Sequence, residues 1–258
     1  MPRRCVGPAV HGCSGVSAVY DGIGAGYADL RRPDPRIAAA VSSALGDART
    51  VVNVGAGAGS YEPAGTLLAV EPSAAMVAQR ASTAAAAVRG VAGALPLRDG
   101  AVDATLAVLT THHWPDVAAG LRELARVSRR QVVLTFDLAA VLQTWVFDYL
   151  PGAVFRDAER TALDDVLAAW PDATVVPVPV PDDCTDGFLA AYWRRPEAYL
   201  DPQVRAAIST FALVPQEVLE PGLARLRADL EDGTWQARYG GLLDLEALDC
   251  GYRLVVQG

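Results

Sequence analysis

Val51-Val52-Asn53-Val54-Gly55-Ala56-Gly57-Ala58-Gly59-Ser60 is the stretch that decides the fold. Its β-branched opening predicts a buried strand. Three glycines at alternate positions predict a turn whose backbone amides lie directly against a ligand, because no Cβ intervenes. The spacing is G-x-G-x-G and differs from the G-x-G-x-x-G of dinucleotide folds. A second strand, Leu67 to Val70, ends in Glu71, where a carboxylate can take both hydroxyls of a ribose. Between Gly59 and Leu67 there is hardly room for one helical turn, whereas a crossover between parallel strands usually takes about a dozen residues or more. The clipped crossover argues against a pyrophosphate cofactor, which needs the dipole of a full helix.

Length and composition bound the rest. A chain of 258 residues can bury one sizeable core, as one large domain or a domain with an insertion. With 52% hydrophobic and 20% charged residues it reads as a soluble globular protein, and no apolar run approaches the roughly 20 residues that span a bilayer. A net charge of −8 and a pI near 4.9 disfavour nucleic acid, which demands a basic surface, and favour a small organic substrate. All 22 basic residues are Arg, which reads as coding bias of a GC-rich genome. Cys5, Cys13, Cys184 and Cys250 form no C-x-x-C pair, so a reduced, cytoplasmic setting is expected. Cys5, His11 and Cys13 lack a fourth metal ligand, and the glycines and His11 after Arg3 and Arg4 argue against an export signal.

Periodicity places helices at Ile37 to Leu45, ending at Gly46, and at Val117 to Val127, with another opening at Ser73 and carrying Met76. Ala104 to Leu109 is almost wholly apolar, a central strand opened by Asp103, and Gln131 to Thr135 is a fifth. Helices are expected over Leu138 to Leu150 and Asp157 to Trp170. Val175 to Pro181 is extended but broken by prolines, so it belongs near a sheet edge. From Asp186 to about Leu248 the pattern is helical, and only then does Tyr252 to Val256 supply a last strand. So long a segment exceeds any ordinary connection and reads as a helical lid that carries specificity.

The glycine turn from Asn53 to Gly59, the strand end Val70-Glu71-Pro72-Ser73 and the later His112-His113-Trp114 together resemble class I S-adenosylmethionine-dependent methyltransferases of the type 11 kind. The resemblance covers most of residues 20 to 137. It extends less specifically to Asp183-Cys184-Thr185-Asp186-Gly187-Phe188 and Tyr192-Trp193-Arg194-Arg195-Pro196, which look like a bacterial subgroup. It implies an α/β, Rossmann-like sheet (47–181) with an N-terminal arm and helical cap (1–46), a helical insertion (182–248) and the last strand (249–258). It also implies S-adenosyl-L-methionine as cofactor, held by Gly55, Ala56, Gly57, Glu71, Pro72, Met76 and Leu109. Gly93, Ala94 and Leu95 belong to the segment that closes over the adenine; members often carry an acid where Gly93 stands, so backbone groups near Ala92 have to serve. Tyr27 and Arg31, one helical turn apart, approach the methionine carboxylate, or else pack as a surface helix. Asn53 departs from the acid the family favours at that strand end, and organises the turn without a charge.

Ligands in open α/β sheets bind at the carboxyl ends of strands, which is where His112 and His113 fall. Neighbours leaving a strand point to opposite sides, so His113 is expected to be the base, with His112 turned to the cofactor side or the sheet. Alternatively both imidazoles only shape the wall. Tyr20 is a second catalytic candidate, and Trp114, Phe188, Tyr192 and Trp193 are candidates for substrate contact. The overall look is similar to natural-product methyltransferases, including those that methylate indole C3 of tryptophan-containing cyclodipeptides. An O- or N-methyltransferase of another metabolite, or a non-catalytic S-adenosylmethionine-binding module, are the alternatives. A nicotinamide oxidoreductase fits the turn but neither the short crossover nor the absence of lysine. The sequence leaves the oligomeric state open.

Overall fold

The computed structural model describes residues 31–150, 162–212 and 214–258. Tyr20 and Tyr27 therefore lie outside the described residues, as do Cys5, His11 and Cys13.

A seven-stranded sheet forms the centre. Helix α1 (Pro35–Leu45) starts where the Asp34 carboxylate accepts from the Arg36 amide, with Pro35 in the first turn, and stops at Gly46; it buries Ile37, Val41 and Leu45, one per turn. Strand β1 (Val51–Val54) follows, buried throughout, then β2 (Thr66–Val70) with no helix between them. The clipped crossover expected from the sequence is thus present. Short helix α2 (Ala74–Ala78), capped by Ser73, leads to β3 (Ala87–Val88) and to β4 (Val102–Val108). Helix α3 (Val117–Val127), capped by Asp116, buries Gly120, Leu121, Leu124 and Val127 and feeds β5 (Ser128–Phe136).

After β5 come α4 (Leu138–Val141), α5 (Ala162–Ala169) and the edge strand β6 (Thr174–Pro177), then β7 (Val180–Pro181). The later helices are α6 (Pro202–Ala206), α7 (Ser209–Ala212), α8 (Gln216–Glu231) and α9 (Thr234–Tyr239); β8 (Ala247–Leu248) and β9 (Tyr252–Gln257) close the chain. The sheet order is β3-β2-β1-β4-β5-β9-β6, and β7 pairs with β8 apart from it. β9 runs antiparallel to both β5 and β6, while the pairs from β3 to β5 are parallel. This is the Rossmann-like sheet of class I methyltransferases, with the carboxyl ends of β1, β2, β4 and β5 on one edge.

Three local expectations are corrected. Leu138 to Leu150 is not one helix: the Thr144 backbone is extended (ψ 138°), with its hydroxyl donating to the Val141 carbonyl (2.7 Å), and a 3₁₀ turn, Trp145–Asp148, follows instead. Helical structure does not begin at Asp186: residues 182–195 are turns, tied by Arg195 to the carbonyls of Cys184 and Ala191 (2.8 Å each), and the first helical turn is Pro196–Leu200. Finally, β4 ends at Val108, since Leu109 takes a left-handed φ of 47°.

One apolar cluster runs from Val41 through Leu106, Trp145 and Trp193 to Trp235, so α1, the sheet and the late helices share a core. Trp193 sits at its centre, 1% exposed, with its indole N–H donating to the carbonyls of Val180 (2.9 Å) and Pro181 (3.2 Å) and its own carbonyl accepting from Trp145 (2.7 Å). Trp193→Ala should therefore cost about 3–5 kcal/mol of unfolding free energy in a denaturant titration. A loss below about 1 kcal/mol would show that the side chain does not hold this core.

Candidate active site

The glycine turn is anchored on the end of β2. Amides of Gly55 and Ala56 donate to the Val70 carbonyl (2.8 and 3.3 Å), and Gly57 donates to Glu71 Oε2 (2.8 Å) while Ser73 donates to Oε1 (2.9 Å). Glu71 is buried, yet each carboxylate oxygen keeps a second lone pair for a ribose hydroxyl. Gly55, Gly57 and Gly59 all have positive φ. At Gly55 a Cβ would also stand 2.1 Å from Thr110 Oγ1, so the turn presses directly on the residue that leaves β4. Met76 lies against the other flank, its methyl 3.3 Å from where a Gly57 Cβ would be. A bare backbone turn beside a buried ribose-compatible acid fits an adenosyl cofactor. Pro72 stands exposed just beyond, its carbonyl held by Arg89 (3.2 Å).

Asn53 turns into the interior beneath this turn. Its amide donates to Glu62 Oε2 (3.2 Å), and Glu62 forms a buried ion pair with Arg80 (2.7 Å), which reaches the Gly57 carbonyl (3.4 Å). An acid thus stands against Asn53 in Glu62, nine residues later, which the sequence reading did not single out. Gly93 and Ala94 are exposed in a tight turn closed by the Ala94 amide on the Val91 carbonyl (3.2 Å). Leu95 differs from its expected place: its side chain is core, and its amide donates to Glu123 (2.7 Å).

His112 and His113 do not diverge. They occupy a 3₁₀ turn, Thr111–His113, in which successive side chains are about a third of a revolution apart rather than opposed, and the ring centroids stand 3.8 Å from each other. His112 meets Phe136 at the end of β5 edge to face (5.2 Å) and is exposed to solvent, whereas His113 is half-buried. Burial and the neighbouring His113 lower the His112 pKa to about 3, and burial lowers that of His113 to about 4. Both imidazoles are neutral at pH 7.

The remaining candidates separate. Trp114 is half-buried and lies flat on α3, where a Cβ on Gly120 would meet its ring at 2.4 Å and where Ala92 also approaches, so it walls the Gly93 side of the site. Leu109 and Phe188 meet at a small apolar cavity with Ile37, Tyr61 and Tyr252. Tyr192 is buried under Arg195, 4.9 Å from its ring. Trp193 is core and offers no surface to a substrate. Arg31 Nε donates to Asp186 Oδ1 (2.6 Å), and Asp186 Oδ2 accepts from the Tyr61 hydroxyl (2.9 Å). Tyr61 and Asp186 escaped the sequence reading because their pairing spans 125 residues. Among the described residues no cluster could hold a metal, and no helix is long and apolar enough to cross a membrane.

Two outcomes follow from these charges. Unfolded imidazoles titrate near 6.5 and take up protons before the folded ones, so stability should fall as pH drops from about 6.5 toward about 4 and be insensitive to these groups above that window. Resonances assigned to His112 or His113 titrating near 6.5 in the folded protein would contradict this. Asn53→Asp, which restores the acid common in the family, should lower stability by about 2 kcal/mol because it faces Glu62 with a second carboxylate. The loss should shrink toward pH 4 as the new carboxyl protonates first in the fold; a stabilised variant at pH 7 would contradict the role of Glu62.

Comparison with known proteins agrees with this geometry. The methyltransferase domain family matches residues 52–136. A protein of Anabaena variabilis ATCC 29413, described as a methyltransferase from an antibiotic biosynthesis pathway, is 34% identical over 89% of this chain and 99% of its own, with a TM-score of 0.78. The geranyl diphosphate C-methyltransferase of Streptomyces coelicolor A3(2), solved with S-adenosyl-L-homocysteine, is 16% identical over 85% of this chain and 74% of its own, at a TM-score of 0.46. No curated protein matches the chain. With a glycine turn, a buried acid at the end of β2 and a 34% identical relative spanning almost the whole molecule, the chain belongs to the S-adenosylmethionine-dependent methyltransferases.

Proposed function

We propose that the protein methylates a small aromatic natural product, at indole C3 of a tryptophan-containing cyclodipeptide. The observation that carries the reading is the neutral His112–His113 pair, set two and three residues beyond the Thr110 that touches Gly55. Base and cofactor turn are thereby one contact apart. The relative from an antibiotic pathway supports a natural-product acceptor.

In this reading Glu71 holds the ribose, Met76, Gly93, Ala94 and Trp114 flank the adenine, and Arg31, with Tyr27, meets the methionine carboxylate. S-Adenosylmethionine, when bound, supplies a methyl group on a sulfonium that leaves as a neutral thioether. The protein then has two tasks: to align the acceptor and to remove its proton. Alignment contributes up to about 7–11 kcal/mol in well-oriented cases. His113 takes the proton released at the acceptor, from indole N1 if C3 is methylated, while His112 and Phe136 form the adjoining wall. Both imidazoles are uncharged at pH 7, so they accept a proton without first placing positive charge beside a sulfonium. The same base would serve a phenol or an amine, which makes O- or N-methylation the alternative. Leu109 borders the cofactor, Phe188 bounds the acceptor from the lid side, and Tyr20 positions it.

His113→Gln should lower methyl transfer by about 10²-fold or more and leave S-adenosylhomocysteine affinity unchanged. Methyl release from S-adenosylmethionine with cyclodipeptides, phenols and amines, followed by product mass spectrometry, checks both parts. Full turnover in the variant removes His113 as the base, and methylation confined to oxygen or nitrogen replaces the indole acceptor.

A further inference from the structure

Asp186 belongs to the segment leading into the lid, yet it is fully buried, and both of its oxygens are engaged. Oδ1 accepts from Arg31 Nε (2.6 Å) and Oδ2 from the hydroxyl of Tyr61, the second residue after Gly59 (2.9 Å). The backbones of Arg31 and Asp186 also pair as an antiparallel bridge. Tyr61 holds a left-handed φ of 59°, uncommon for a bulky side chain, and its oxygen accepts from the Asp34 amide (3.3 Å). Burial and the Asp186 charge push its phenol far up, so it remains a donor at any working pH. On the flank, Asp34 accepts from the Thr185 amide (3.2 Å) and Arg36 bridges Asp34 and Asp183 (2.7 Å each). Arg31, Tyr61 just after the glycine turn and residues 183–186 are thus joined through two buried carboxylates, Asp186 and Asp34.

A buried carboxylate and guanidinium lose hydration that their attraction only partly returns, so stability alone gives weak reason for the pair. Its geometry gives a better one. A guanidinium is planar with five donors; gripped through Nε, it has a fixed plane and carries its other donors on the terminal nitrogens. We propose that Asp186 is a positioning residue, which orients Arg31 to receive the carboxylate at the methionine end of the cofactor and, through Tyr61, ties that orientation to the glycine turn. Seating of residues 183–188 and recognition of the amino-acid end of the cofactor are then one event. The proposal rests on the assignment of Arg31 made above.

Two ligands separate these claims in the full-length protein. S-Adenosylhomocysteine carries the amino-acid carboxylate, and 5′-methylthioadenosine keeps the adenosine and thioether without it. Calorimetric affinities for both are measured in the parent protein, Arg31→Met, Asp186→Asn, the double variant and Tyr61→Phe. The expected result is about a tenfold loss for S-adenosylhomocysteine alone in Arg31→Met and Asp186→Asn, with the double variant no weaker than Arg31→Met. If Arg31→Met weakens both ligands equally or neither, the assignment of Arg31 fails. If Arg31→Met discriminates and Asp186→Asn does not, or weakens both ligands, the positioning role is overturned. Should Asp186→Asn not fold, Tyr61→Phe decides: a several-fold loss for S-adenosylhomocysteine alone supports the role, and equal effects on the two ligands overturn it.

Discussion

The site depends on the approach of Gly55 to Thr110. A left-handed φ of 67° and the room for no atom beyond Cα place the turn after β1 in contact with the chain leaving β4. That contact brings the turn, the proposed backbone cradle for the cofactor, against Thr110, two and three residues before the two imidazoles. The Val70 carbonyl and Glu71 hold the cradle from one side, and the Asn53–Glu62–Arg80 cluster supports it from beneath. Those supports hold the turn in a chain without the usual acid at position 53, where Glu62 stands against Asn53.

Much of this was legible in the sequence because its signals were local. The G-x-G-x-G turn, the acid after β2 and the short link between them fixed the cofactor class. The 3.6-residue spacing from Val117 to Val127 gave α3 to the residue, since Asp116 caps it and Leu121 and Leu124 line one face. Other features needed distance. Asp186 meets Arg31 across 155 residues, and nothing in Asp-Gly-Phe distinguishes a buried clasp from a surface turn. Trp193 reads as one aromatic of a lid, yet its N–H is spent on two backbone carbonyls, which makes it part of the core.

The histidines show how the backbone between elements can overturn an orientation read from strand alternation. Strand alternation predicts opposed side chains, but β4 ends at Val108, and the left-handed Leu109 turns the chain into a 3₁₀ segment before His112 is reached. Three residues per turn put both rings on neighbouring sides, with their centroids 3.8 Å apart. Local chemistry identified the pair; the backbone between strand and helix determined how it is presented.

The affinity of Gly55→Ala for S-adenosylhomocysteine tests the account most directly. A Cβ at that position meets Thr110 Oγ1 and resists the left-handed backbone, so binding should fall by about a hundredfold or more while circular dichroism shows the fold retained. Unchanged affinity in the folded variant would contradict the assignment of this turn as the cofactor cradle, and with it the placement of the histidine pair beside the reacting methyl group.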